Sequence, residues 1–332
     1  MAIGLDVGTA TLVRATRNKE DKIEYVKEIN AFIEVPLENR FAFNMMKKAG
    51  VPLIERANIA YAVGEKAVDI AYSYNSELRR PMKDGCVNPS EKEGFQILSV
   101  MLHSLIGEVQ HDGETLCYCV PANAVNAETD AAYHGEIIKQ ILSKYEINNK
   151  KVAAYPINEA LALVYAELQH KFLTGIGISF GGGMVNVCFA NRSVPIFQFS
   201  LVNSGDWIDK QAAKALGEST TFVNRAKTKI DLTKPPATDI ERAIQTQYRL
   251  MIRNTVKGIK EGLEQSKTKL HLDGAIDIVV AGGTSAPNGF ENIFKDAIKE
   301  IGLPIEVGTI KKPTDYLYAV SRGCLLAAEA AE

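Results

Sequence analysis

The stretch IGLDVGTATLV at residues 3–13 returns, changed but recognisable, as IGISFGGGMVNV at 176–187. Each copy runs Ile-Gly, a few strand residues, a glycine, a turn and a second strand. One such pair in a 332-residue chain implies two related halves rather than a solenoid of short repeats. Around each copy, strands and helices interleave, which predicts an α/β fold. In the first half AIGLDVG, TLVRAT and KIEYVKEI read as strands joined by tight turns. Helical periodicity follows in SEKEGFQILSVMLHSLIG, then a strand TLCYCVP, then the helical AETDAAYHGEIIKQILSKY. A strand KVAAYP leads into INEALALVYAELQ, whose apolar positions cover most of a helix circumference, so that helix is predicted to lie sandwiched inside the protein. After the second copy the chain turns helical and charged between about 205 and 270, then returns to a buried strand, AIDIVVAGG. The segment 36–57 has weak periodicity and reads as a small insertion in the first half.

With 46% hydrophobic and 23% charged residues the composition is that of a soluble globular protein with a sizeable core. A formal net charge of −2 gives no general attraction to nucleic acid or to acidic membranes. The five cysteines are scattered, mostly in apolar runs, and the five histidines do not cluster with them, so reduced buried thiols are expected rather than a metal site. A reducing, cytoplasmic location follows from that expectation. No apolar run approaches the ~20 residues that span a bilayer. The MAIGLDVG start enters a strand at once, so neither a signal peptide nor an amphipathic anchoring helix is expected.

Four elements carry chemistry. DVGTAT (6–11) sets an acid at a strand end before Gly8, Thr9 and Thr11, where amides and hydroxyls can cradle phosphate and Asp6 can hold Mg²⁺ through water; a plain hairpin turn explains the same residues. SFGGGMV (179–185) is its counterpart, and three consecutive glycines weaken a regular element enough that close phosphate approach is the favoured reading over a mere turn. VVAGGTSAPNGF brings a buried strand into Gly282, Gly283 and Thr284, with a helix expected to open near Pro287; it can admit a ribose or a flat ring, or be an ordinary strand–turn–helix connection. Glu159 starts an otherwise apolar helix, where it either complements the helix dipole or orients a water against a terminal phosphate.

In this order the motifs resemble the actin-fold ATPases, and within that superfamily the bacterial MreB actins. The resemblance includes AVGEKA (62–67), RPMKDGCV (80–87), CVP (119–121), NEALALVYA (158–166), GGGMVNV (181–187), SGDWID (204–209) and AVSRGCLLAA (319–328), and spans nearly the whole chain. It implies an actin-like, ribonuclease H-like duplicated fold with two lobes around a nucleotide cleft. Lobe I would hold 1–154 plus 313–332, with the insertion at about 31–57; lobe II would hold 155–312, with a helical subdomain at about 205–270. By the same likeness ATP or ADP with Mg²⁺ is the ligand. Asp6 and Glu159 are the catalytic candidates, Glu159 polarising the attacking water. Gly8, Thr9 and Thr11 fall in the first phosphate loop, Ser179 and Gly181, Gly182 and Gly183 in the second, and Gly282, Gly283 and Thr284 in the adenosine motif. Gly205, Asp206 and Lys227 join the nucleotide-binding positions, Lys227 beside the adenosine.

The departures from that family pattern are specific. Ser179 stands where the second loop usually has Asp, Met184 replaces Thr, Asn186 replaces an acid, and Lys229 replaces the acid near the adenine. A missing acid–base group costs typically 10²–10⁴-fold in rate, so nucleotide binding with slow or lost hydrolysis is expected. The resemblance implies a cytoskeletal protein that polymerises head to tail with ATP. A non-polymerising actin-fold adaptor or assembly factor is the alternative, and a small-molecule kinase the second. RFAFNMM in the insertion can serve as a membrane loop, a packing cluster or a protomer contact, and membrane binding is not favoured.

Overall fold

The computed structural model describes residues 2–36, 40–56, 59–73, 77–266 and 274–332. The chain opens with three antiparallel strands, β1 (Ile3–Val7), β2 (Thr11–Arg17) and β3 (Ile23–Ile29). A small unit follows: β4 (Phe32–Pro36), α1 (Arg40–Lys48), β5 (Leu53–Arg56), β6 (Ile59–Val63) and α2 (Glu65–Ser73), with strand order β4-β6-β5. Residues 37–39 and 57 of the stretch read as an insertion lie outside the described residues, as do 267–270 of the helical stretch. Helix α1 divides the RFAFNMM sequence between two fates: Phe43 is buried, whereas Phe41 and Met45 stand 75% and 50% exposed.

A two-stranded hairpin, β7 (Met82–Lys83) and β8 (Cys86–Val87), precedes α3 (Gly94–Ile106), β9 (Glu114–Val120), α4 (Ala131–Ser143), β10 (Val152–Asn158) and α5 (Glu159–Glu167). Then the plan repeats. Strands β11 (Gly175–Phe180), β12 (Val185–Asn191) and β13 (Val194–Leu201) are again antiparallel. Helices α6 (Gly205–Leu216), α7 (Thr220–Lys227) and α8 (Asp239–Ser266) lead to β14 (Ile276–Ala281), α9 (Phe290–Ile301), β15 (Val307–Lys311) and α10 (Ala319–Ala330).

The two large sheets have the same order. One reads β10-β9-β1-β2-β3 and the other β15-β14-β11-β12-β13, each with a parallel half and an antiparallel half. The repeated sequence motif is therefore the central hairpin of each sheet. Its Ile-Gly pair has a packing cause. A Cβ on Gly4 would stand 2.1 Å from the Ser321 carbonyl oxygen of α10, and one on Gly177 would stand 2.2 Å from the Ala160 carbonyl oxygen of α5. Each sheet thus takes a helix backbone directly onto its central strand. Helices α5 and α10 also press together, with Gly323 against the Ala162 carbonyl, and form the seam between the sheets. This is why Ala160, Leu161, Ala162, Leu163 and Val164 are buried in succession, as the all-round apolar pattern predicted.

Separate cores lie outside this seam. In the second lobe Phe180, Phe189, Tyr248, Phe290 and Phe294 pack beneath α6, α8 and α9; in the first, Leu5, Leu12, Leu98, Leu102, Ile138 and Tyr118 pack beneath α3 and α4. All five cysteines are free and buried. Among the described residues no helix is long and apolar enough to cross a membrane.

Candidate functional site

The carboxyl ends of β1, β10, β11 and β14 converge on one cleft of about 510 Å³. In open α/β sheets that is the end at which ligands bind. The cleft is lined by Asp6, Gly8, Thr9, Thr11, Glu159, Ser179, Gly181, Gly182, Gly183, Asp206, Lys227, Gly282, Gly283 and Thr284. Gly205 is the candidate that does not line it. Its amide donates to the Gly181 carbonyl at 3.2 Å and a Cβ there would meet Thr284 Oγ1 at 2.5 Å, so it joins α6 to the neighbouring turns.

The two repeated hairpins face each other across the cleft. In the first, Gly8 N donates to Thr11 O at 3.1 Å and Asn30 Nδ2 donates to Gly8 O at 2.9 Å. In the second, Gly181 N donates to Met184 O at 2.9 Å. The turns meet tip to tip: a Cβ on Gly183 would lie 2.3 Å from Thr9 Oγ1 and 2.5 Å from Gly85 N. Contact between the turns therefore demands at least this glycine before any ligand is considered. Gly282 has φ +90°, and its Cα faces the Phe180 carbonyl. Past it the chain makes a 3₁₀ turn over Gly283–Ser285, and the helix begins at Phe290, three residues beyond the expected start at Pro287.

Glu159 owes its place to a cap. Strand β10 ends at Asn158, whose Oδ1 accepts from the amides of Ala160 at 3.0 Å and Leu161 at 3.1 Å, fixing the first turn of α5. Glu159 is thereby held in the cleft floor with Asp6 and Ser179. Its Oε2 accepts from Asn186 Nδ2 at 2.9 Å, and the nearby Ser179 hydroxyl favours its charged form. Burial, and then the charge of Asp6, push the Glu159 carboxyl up to about 8. Burial likewise raises Asp6 to about 6, opposed by the Cys119 thiol, which donates to Oδ1 at 3.3 Å. Among the described residues neither carboxylate has a basic side chain within ion-pair distance. No group of three or more His, Cys, Asp or Glu among them could hold a metal alone. Two buried, mutually repelling carboxylates without a protein cation suit a hard divalent ion whose other ligands are phosphate oxygens and water.

Basic groups ring the rest of the cleft. Lys227 is there, but its ammonium donates to Asp209 Oδ2 and to Gly205 O, both at 2.7 Å. Asp209 is itself raised by burial, a shift that Lys227 opposes. The Lys227 charge is thus committed to the base of α6. Arg80, which motif reading left without a role, bridges the lobes: its NH1 donates to both carboxylate oxygens of Asp206 at 3.0 Å. Arg225 also donates to the Tyr72 hydroxyl at 2.6 Å, and Lys210 meets Asp84 at 3.4 Å. The only advance signal for Arg80 was its place in RPMKDG.

Duplicated sheets, two helices crossing between them and a cleft floored by strand ends define the actin fold. The same architecture is found, over nearly the whole chain, in solved proteins. A MamK double helical filament is 17% identical with a TM-score of 0.70, over 99% of this chain and 98% of that one. MreB 5 of Spiroplasma citri, solved bound to AMPPNP, is 15% identical with a TM-score of 0.67, over 99% and 96%. The ethanolamine utilization protein EutJ of Carboxydothermus hydrogenoformans is 16% identical with a TM-score of 0.54, over 98% and 88%. No curated protein matches the sequence. The Volactin family model matches residues 1–328, and the chain belongs to the Volactin family. Its likeness to the MreB actins is one of fold.

Proposed function

We propose that this protein binds ATP and ADP with Mg²⁺ between its lobes and polymerises head to tail into filaments, with slow hydrolysis. The observation that carries this reading is the meeting of two equivalent hairpins across a cleft whose floor holds two buried carboxylates. The filament part draws support from the fold shared with MamK, solved as a double helical filament, and the nucleotide part from MreB 5, solved with AMPPNP. The division into lobe I (1–154 and 313–332) and lobe II (155–312) belongs to the same reading.

In this assignment Thr9, Thr11 and the amides of Gly182 and Gly183 receive the phosphates, and Gly282, Gly283 and Thr284 receive the nucleoside. Asp6 would hold Mg²⁺ through water, and the ion, when bound, would supply charge neutralisation at the phosphates. Glu159 accepts the proton of the attacking water. Ser179 brings no charge to the ion or to the attacking water where an acid would, so turnover is slow. Nucleic acid is not a direct partner, the cytoplasm is the compartment, and membrane contact through Phe41 and Met45 is not required.

Sedimentation with ATP, ADP or no nucleotide, with released phosphate measured in the same tubes, tests this. Pelleting that depends on nucleotide, with phosphate released over many minutes, is the expected result. Nucleotide binding without pelleting would instead make the protein an actin-fold adaptor, the reading that Ser179, Met184 and Asn186 favour. Fast phosphate release would refute the slow-hydrolysis part.

A further inference from the structure

Ser179, Asn186 and Ser200 form a row across three adjacent strands. Ser179 is paired with Asn186 between β11 and β12, and Asn186 with Ser200 between β12 and β13. Directly paired residues share a face of a sheet, so all three side chains project to the same side. All three are buried, at 2% exposure or less. Ser200 Oγ donates to Asn186 Oδ1 at 2.5 Å, and Asn186 Nδ2 donates to Glu159 Oε2 at 2.9 Å. With Glu159 ionised, a flipped carboxamide would set Oδ1 against the carboxylate, acceptor to acceptor, whereas the Ser200 hydroxyl, donor and acceptor both, bonds the observed orientation as a donor. Ser200 is fixed in turn by its main chain: its amide donates to Asn123 O at 3.2 Å and its carbonyl accepts from Val125 N at 2.9 Å. Both partners follow β9, on the other lobe.

From this row we infer that Asn186 is the positioning residue of Glu159, its carboxamide oriented by the ionised carboxylate and braced from behind by the Ser200 hydroxyl so that Nδ2 faces Oε2. This rests on Glu159 acting as proposed above. It has a chemical consequence. With Oε2 engaged as acceptor for the amide, the proton that Glu159 takes from water is carried on Oε1, and one orientation of the carboxyl group serves turnover. The tie from Ser200 to Asn123 and Val125 makes that orientation depend on the two lobes being docked.

Two readouts on the full-length protein test this, and they fail independently. The first needs no turnover: the side-chain amide resonances of Asn186, assigned by their loss in Asn186→Asp, are followed by nitrogen-15 NMR. Both amide protons are expected to exchange slowly, and Ser200→Ala to speed their exchange about tenfold while Ser200→Thr restores protection. Exchange as fast as that of a solvent-exposed asparagine, or unaltered by Ser200→Ala, overturns the proposal. The second is single-turnover phosphate release from Mg-ATP. Ser200→Ala and Asn186→Ala are expected to slow it about 10–100-fold with ATP affinity changed less than about twofold. Loss of affinity in proportion to rate would make the row merely structural and overturn the positioning role. If the unaltered protein releases no phosphate, slow hydrolysis fails as a reading, and the amide exchange alone decides whether Asn186 is locked.

Discussion

Replacing Glu159 by glutamine should make the protein more stable at alkaline pH. The folded chain keeps the Glu159 proton up to about 8, because burial and Asp6 oppose its loss, whereas an ordinary glutamate gives it up near 4.5. Between those values the unfolded chain binds fewer protons than the folded one, so stability falls as pH rises. Each pH unit across that interval costs about 1.4 kcal/mol, which sets a ceiling of about 5 kcal/mol for Glu159 taken alone. Asp6, raised to about 6, shares the same buried space, so the two losses belong to the pair and do not add. A measured drop of about 2–4 kcal/mol between pH 5 and 8.5 is therefore expected. The assay is urea unfolding at a series of pH values without nucleotide or divalent ion. Glu159→Gln, which keeps the shape and cannot ionise, should remove at least half of the drop and exceed the unaltered protein in stability at pH 8.5. Parallel profiles for the two proteins would refute the reasoning, because Glu159 would then be ionised in the folded state at an ordinary pH.

Other outcomes follow from the same geometry. Ser179→Asp sets a third carboxylate beside Glu159, so without divalent ions the melting temperature should fall by about 5 °C, while with Mg-ATP phosphate release should rise at least about tenfold. An unchanged rate in that variant would remove Ser179 as the cause of slow turnover. Gly183→Ala drives a methyl group into Thr9 Oγ1 and Gly85 N, and calorimetry should show ATP affinity reduced about tenfold or more; an unaltered affinity would mean that the two turns need not touch. Arg80→Ala removes a partly exposed ion pair worth about 1 kcal/mol or less, so stability should barely move. Small-angle scattering of the nucleotide-free variant should nevertheless show an expanded molecule, and an unchanged radius of gyration would exclude Arg80–Asp206 as a lobe latch.

The duplicated hairpins were legible because Ile-Gly, a strand and a glycine turn recur in a row of adjacent residues. Glu159 could be placed because it opens a helix that is apolar on nearly every side. What the motifs concealed depends on contacts distant in sequence. Arg80 and Asp206 are 126 residues apart, and nothing local in RPMKDG names an aspartate on α6 as the partner. Lys227 reads as a free cation in its own segment, yet its charge is spent on Asp209, 18 residues earlier. Gly183 was assigned to phosphate approach because a glycine run does not disclose what comes close; in the fold the first neighbours are Thr9 and Gly85. Asn186 registered only as the absence of an acid, since its bonds to Ser200 and Glu159 require the sheet register and the helix together.

The Ile-Gly contacts tie each central strand to its own helix. At Gly4 against Ser321 and at Gly177 against Ala160 main chain meets main chain within each lobe, and at Gly323 against Ala162 it does so between the two helices. Sliding α10 along α5 would drive the Gly323 Cα into the Ala162 carbonyl oxygen, as close-packed interiors forbid. Each of these helices is thereby fixed to its own sheet, so a displacement of α5 or α10 carries its whole central strand with it.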